Sequence, residues 1–260
     1  MVKPLRIAFV EWPEALSPDH PQWRGLKSAI TTLHPDILVT NELPFGPWIA
    51  ESGVFSEDAA RLSIAVHERG LEGLIDLDLS AVISSRPVWI GQRLANEAFV
   101  LEKRAARPVH RKQYFPNEPG WFESQWYCGD DSGFAVAEVL GIKVGVLLCT
   151  DAMFNERARA YGRQDASLIV IPRASGTNLE SWKIAGAMAS LVSGAYVVSS
   201  NRVGRGQGGT EFGGGGYAYA PRGQLLGMTD AAHPVQILEL DPKIAALAQR
   251  EYPCYVPDLE

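Results

Sequence analysis

Short apolar runs rich in β-branched residues alternate along this chain with longer segments of helical period. Leu5–Glu11 reads as a strand, Gln22–Thr32 as a helix and Asp36–Asn41 as a second strand ending at Glu42-Leu43-Pro44. Ser56 is placed to cap a helix over Glu57–Arg69, whose apolar residues fall at 59, 62, 65 and 66, and the Gly70–Gly73 region is expected to stop it. Leu79–Ser84, Pro87–Ile90 and Asn96–Glu102 follow as three strands. Ala135–Leu140 and Lys143–Leu148 form a hairpin about Gly141. A helix over Asn155–Arg163, a strand Leu168–Ile171 stopped by Pro172, a longer helix Leu179–Ser193 and a strand Tyr196–Ser199 come next, and Gly215–Tyr219 and Val235–Leu240 close the set. Strands outnumber helices and occur both as hairpins and separated by helices. That argues a mixed sheet, or two sheets with helices outside, in a single domain over residues 1–260. Glycine-rich Gly204–Gly216 fits neither a P-loop nor a dinucleotide fingerprint and reads as a mobile loop near the site.

Composition narrows the class. Hydrophobic residues make up 46% and charged residues 21%, as in an ordinary soluble domain, and no apolar stretch is long enough for a membrane span. The apolar part of the start, residues 1–10, is too short for a secretory signal. The net charge of −6 argues against nucleic-acid or anionic-membrane partners and leaves a small molecule as the expected one. Three cysteines, without disulfide or zinc spacing, imply a reducing, cytoplasmic setting and no metal.

Cys149 ends the run Val144–Leu148 and precedes a helix start, where backbone amides favour a thiolate; its other fate is a small buried hydrophobe. Glu42 stands alike after the strand over 36–41, as a desolvated base or a solvated loop acid. Lys112 lies in the basic stretch His110-Arg111-Lys112, which also suits a solvated face. Glu118 sits in Pro116-Asn117-Glu118-Pro119-Gly120, desolvated by aromatic neighbours or marking a stiff turn. None of the five histidines has a partner motif that would make a Cys–His site.

Together, Asn41-Glu42-Leu43-Pro44, the segment from Arg111 to Glu118 and the segment from Val146 to Glu156 resemble, in order and approximate spacing, the three motifs of the carbon–nitrogen hydrolase family, the nitrilase superfamily. The runs Asp165–Pro172 and Ser200–Gly204 support the likeness. The resemblance implies a four-layer α-β-β-α sandwich of mixed α/β class that associates as a homodimer or higher oligomer. It implies no cofactor. Glu42 would be the general base, Cys149 the nucleophile, Lys112 the cation facing the tetrahedral intermediate, and Glu118 the second glutamate that orients the substrate amide.

The Thr150 amide would add an oxyanion donor. Nitrilases of the family carry Trp-Glu after the cysteine where this chain has Thr150-Asp151, which favours an amidase that releases ammonia or an amine. N-carbamoyl-amino-acid hydrolases of the family carry two arginines where Ala152 and Met153 stand here. Nitrilase and carbamoyl hydrolase remain as alternatives, with a catalytically silent scaffold as the non-enzyme reading. Trp121, Phe122 and Phe45 are expected to line an apolar pocket, and Arg173 either reaches it to select a polar group or pairs with an acid at a dimer surface.

Overall fold

The computed structural model describes residues 4–130 and 132–257; the charged start at 1–3 and both ends of the expected domain lie outside the described residues. In chain order the elements are β1 (Leu5–Pro13), α1 (Pro21–Thr32), β2 (Ile37–Val39), α2 (Glu57–Ile75), β3 (Ala81–Ile90), β4 (Arg93–Glu102), β5 (Ala105–Arg111) and α3 (Glu123–Trp126). They continue with β6 (Ala137–Val139), β7 (Ile142–Val146), α4 (Asn155–Arg163), β8 (Leu168–Arg173), α5 (Leu179–Ser193), β9 (Tyr196–Arg205), β10 (Glu211–Gly213), β11 (Tyr217–Tyr219), β12 (Leu225–Met228), β13 (Val235–Leu240) and α6 (Pro242–Ala248).

The strands run in the order β5-β4-β3-β2-β1-β9-β8-β7-β6. The first half of β1 pairs with β2 and β13, and its last residues, Glu11–Pro13, pair with β9, so β1 belongs to both halves of the β structure. Period-two alternation then sorts side chains into layers. Ile7, Phe9, Val39 and Ile83 meet Val144, Val146, Val170 and Val198 between the two sheets. Ala8, Val10 and Leu38 turn the other way onto Trp23, Leu26 and Ile30 of α1 and Val66 and Leu74 of α2. Ile169, Ile171 and Val197 pack outward onto Ala158 and Tyr161 of α4 and Ala189 of α5. The result is the four-layer α-β-β-α sandwich.

Several boundaries differ from the sequence pattern for identifiable reasons. The α2 helix begins as expected, with Ser56 accepting from the Ala59 amide, but runs through Gly70 and Gly73. A Cβ at Gly70 would enter the Phe45 ring and one at Gly73 would lie 2.8 Å from Pro18, so these glycines serve close packing and do not end the helix. β3 passes through Pro87 as one strand, because β2 pairs only with its first residues, Ala81–Ile83, and leaves the later edge without a partner for the missing N–H. The polar sequence of β5, the short β12 and the seven-residue α6 carried no periodicity strong enough to mark them. The expected β6–β7 hairpin is present, with Leu140 and Gly141 both at positive φ as a two-residue turn requires. The glycine-rich segment is not a loose loop. It forms a β9–β10 hairpin tied down by Glu51, which accepts from the Gly208 and Thr210 amides.

Candidate active site

Three chain segments end at one place. Glu42 follows β2, Lys112 follows β5, and Cys149 opens a short 3-10 turn, Cys149–Met153, after β7. Strand ends of a parallel sheet are where side chains can leave the core without breaking it. Both turns leave the strand through an uncommon conformation: Leu43 has φ +47° and Cys149 itself +48°, a region that non-glycine residues adopt at a cost.

All three side chains are inaccessible from most directions: Glu42 and Lys112 are fully buried and Cys149 is 2% exposed. Lys112 Nζ donates to Glu42 Oε1 at 2.8 Å and to Glu123 Oε2 at 2.5 Å, and Asn96 Nδ2 donates to the same Glu42 oxygen at 2.8 Å. Glu42 Oε2 and Glu123 Oε1 are buried with no hydrogen-bond partner among the described residues. One ammonium therefore serves two carboxylates. Burial opposes the Lys112 charge, but Glu123, Glu42 and Cys149 outweigh it and hold its pKa well above the ordinary lysine range. Burial, with Glu42 nearby, raises the Glu123 carboxyl to about 8 in spite of Lys112. The Cys149 thiol is pushed up by burial and by Glu42, against Lys112, so the resting sulfur is protonated.

Asp151 locks the Cys149–Met153 turn to the segment that carries Lys112. Its carboxylate accepts from the Leu148, Gln113 and Tyr114 amides at 3.1 Å each and meets His110 Nε2 at 2.9 Å. On the opposite wall, Asn201 accepts from the Ser175 amide and donates to the Ser175 and Gly214 carbonyls. Arg202 pairs with Glu14 and donates to the Leu43 and Gly46 carbonyls, which fixes the chain just after Glu42.

A cavity of about 470 Å³ opens onto Cys149. Its walls include Thr150, Met153, Trp121, Trp182, the 174–178 segment and Glu118, which is the one charged lining residue among the described residues. Trp121 is fixed by its Nε1–H donating to the Ala174 carbonyl at 2.9 Å. A Cβ on Gly213 would come within 2.5 Å of the Gly176 carbonyl, so a glycine lets the β10 backbone press against this wall.

The structure thus brings together Glu42, Lys112 and Cys149, with Thr150 and Trp121 on the cavity wall. Glu118 is an exposed residue on the rim of the cavity that opens onto Cys149, its backbone paired with Trp121, and the carboxylate that joins Glu42 on Lys112 is a different one, Glu123. The expected pocket lining needs correction at Arg173, Phe45 and Phe122. Arg173 does not line the cavity and pairs with no acid among the described residues. Its guanidinium is fully buried and donates to Ser199 Oγ, Ser175 Oγ and the Gly215 carbonyl. Phe45, likewise, packs with Trp12 and Trp23 in the helix-side core, and Phe122 is absent from the cavity wall. Sequence reasoning passed over Glu123, although its neighbours Phe122, Trp126 and Tyr127 mark a buried stretch and the Asn-Glu-Pro-Gly around Glu118 marks an exposed turn. Among the described residues no three His, Cys, Asp or Glu side chains gather as a metal site.

The family profile described as carbon-nitrogen hydrolase matches residues 76–249. The chain belongs to the carbon–nitrogen hydrolase family. An N-carbamoylputrescine amidase of Solanum lycopersicum is 28% identical over 51% of this chain and 50% of its own, and an (R)-stereoselective amidase of Pseudomonas sp is 24% identical over 86% and 81%. The chain spans about half the length of the N-carbamoylputrescine amidases it matches. Among solved structures, a carbon-nitrogen hydrolase from Helicobacter pylori G27 superposes with TM-score 0.84 at 20% identity, covering 96% of this chain and 94% of that one. An amidase from Nesterenkonia sp. does so at 0.78 and 20%, covering 95% and 94%. At that identity the likeness speaks for the fold.

Proposed function

We propose that this member of the carbon–nitrogen hydrolase family is an amidase that cleaves small non-peptide amides through a Cys149 thioester. The observation that carries the reading is the buried Lys112 ammonium held between Glu42 and Glu123 against the Cys149 thiol. A lysine placed only to neutralise a glutamate would need one acid; here two buried acids share one buried cation, and all three bear on the charge of a sulfur that opens onto a cavity.

Glu42, with a free Oε2, takes the thiol proton as Sγ attacks the amide carbonyl carbon. Negative charge passes from the carboxylate to sulfur and then to the carbonyl oxygen, where the Lys112 ammonium and the Thr150 amide receive it. Donors of this kind are worth roughly 3–4 kcal/mol each. Glu42 returns the proton to the departing nitrogen, the C–N bond breaks, and ammonia or an amine leaves. It then deprotonates a water that splits the thioester to the acid and regenerates the thiol. Glu123 holds Lys112 in place by accepting from its ammonium.

The charge of the cavity favours substrates without a carboxylate. An anionic tail would meet Glu118 at the rim, and among the described residues no cation lines the wall to compensate. Ammonia release from a panel of neutral amides, ureido compounds and nitriles tests the reading. Amides are expected to react, with kcat/KM for a neutral amide exceeding that of an N-carbamoyl-amino acid of similar size by about tenfold or more. Release from nitriles alone, or from no compound at all, would sink it.

A further inference from the structure

His110 Nε2 lies 2.9 Å from Asp151 Oδ2, and both side chains are buried. A carboxylate oxygen only accepts, so Nε2 carries the proton of this bond, and Nδ1 is left buried without a partner among the described residues. The Phe134 ring packs on the imidazole, with centroids 4.9 Å apart. The histidine is absent from the cavity wall and takes no part in the chemistry proposed above.

Its importance lies in what Asp151 holds. Oδ1 accepts from the Gln113 and Tyr114 amides and Oδ2 from the Leu148 amide, each at 3.1 Å. The Asp151 amide returns a bond to the Leu148 carbonyl at 3.1 Å, so both backbone groups of Leu148 are tied to one residue. Cys149 stands inside that closed turn at φ +48°, a conformation its surroundings must enforce. On the other side, the contacts at 110, 113 and 114 bracket Lys112. Asp151 thus fixes the backbone beside the sulfur against the backbone beside the ammonium. Among the described residues His110 is its one side-chain donor. Without that donor Oδ2 keeps only the Leu148 amide, and a buried carboxylate short of a donor turns toward another or draws in water.

We propose that His110 is a positioning residue: by donating to Asp151 it holds the Cys149–Met153 turn in register with the Lys112 segment. The effect on turnover rests on the amidase reading; the effect on the backbone does not. The spacing of a nucleophile from the cation that receives its charge enters the rate steeply, since a misplacement of about 1 Å can cost a hundredfold. Substrate binding should be largely spared, because Trp121, Trp182 and residues 174–178 of the cavity wall belong to other segments.

The test compares the full chain as wild type, His110→Leu and His110→Gln. Leucine removes the donor, and glutamine places an amide N–H near the position of Nε2. The two readouts are hydrogen exchange of single amides by NMR, and kcat and KM for the best amide substrate. In His110→Leu the Leu148, Gln113 and Tyr114 amides should exchange about tenfold faster or more, while the amides of the β1–β13 pair keep their rates. Its kcat should fall about tenfold or more, with KM within about threefold. His110→Gln should stay within about threefold of wild type throughout. A merely structural histidine would speed exchange across the whole core and leave kcat per folded molecule unchanged. Either of those results in His110→Leu, or unaltered exchange at the three amides, overturns the proposal. Should the leucine variant not fold, His110→Gln decides: wild-type values support the donor role and a tenfold loss overturns it. If wild type hydrolyses no amide, the amidase reading fails and the exchange rates alone decide for or against His110.

Discussion

At the scale of single residues, burial separates Glu118, to which the motif pointed, from Glu123, which it passed over. Glu118 and Glu123 both follow Lys112, but only Glu123 is buried in contact with its ammonium. Glu123→Gln is expected to lower kcat on the best amide by a hundredfold or more, roughly the 3 kcal/mol of a displaced oxyanion donor, because Lys112 loses its second anchor. Glu118→Gln should leave kcat within about threefold. Equal effects of the two substitutions would return the role to the rim. The same carboxyl has a stability signature. Its folded pKa, about 8, lies above the ordinary glutamate value, so the folded state binds the extra proton between about pH 4.5 and 8. Its contribution to stability is full below that window and is lost as pH rises through it; Glu123→Gln should flatten this part of the stability profile in urea denaturation. The roles of Glu42, Lys112 and Cys149 were suggested by three local motifs in order. The Glu123 contact, by contrast, depends on how the chain turns between β5 and α3, which no local spacing records.

At the scale of elements, the period-two and helical patterns located the long strands and helices because each buries one face. The misreadings fell where tertiary contact overrides local preference. Gly70 and Gly73 look like stop signals by propensity, yet α2 continues through them because Phe45 and Pro18 occupy the space a side chain would need. Gly25 in α1 has the same local chemistry with nothing within 4 Å of a Cβ. Gly70→Ala should therefore cost on the order of 2–3 kcal/mol through overpacking, while Gly25→Ala should add about 0.5–1 kcal/mol by reducing the freedom of the unfolded chain. Thermal denaturation of the two variants checks the pair. Similar shifts in Tm would mean that helix propensity, not the Phe45 contact, governs position 70.

At the scale of the whole molecule, two sheets share β1, and the parallel strand ends of both deliver two of the proposed reacting groups: Glu42 from β2 and Cys149 after β7. The mixture of hairpins and helix-separated strands made a layered α/β architecture legible in the sequence. The crossing of β1 from one sheet to the other was not, since the sequence reads as one strand over Leu5–Glu11 and the crossing falls at the end of the observed Leu5–Pro13. That crossing, with Asp151 tying the Cys149–Met153 turn to the segment that carries Lys112, lets one sandwich hold Glu42, Lys112 and Cys149 together. The claim that they act through a covalent intermediate is tested most directly by acid-quenched mass spectrometry of the protein during turnover of its best amide. Wild type should carry the mass of the acyl group on the peptide that contains Cys149, and Cys149→Ala should fold, carry no adduct and release no ammonia. Turnover by Cys149→Ala, or an adduct on another residue, would contradict the account.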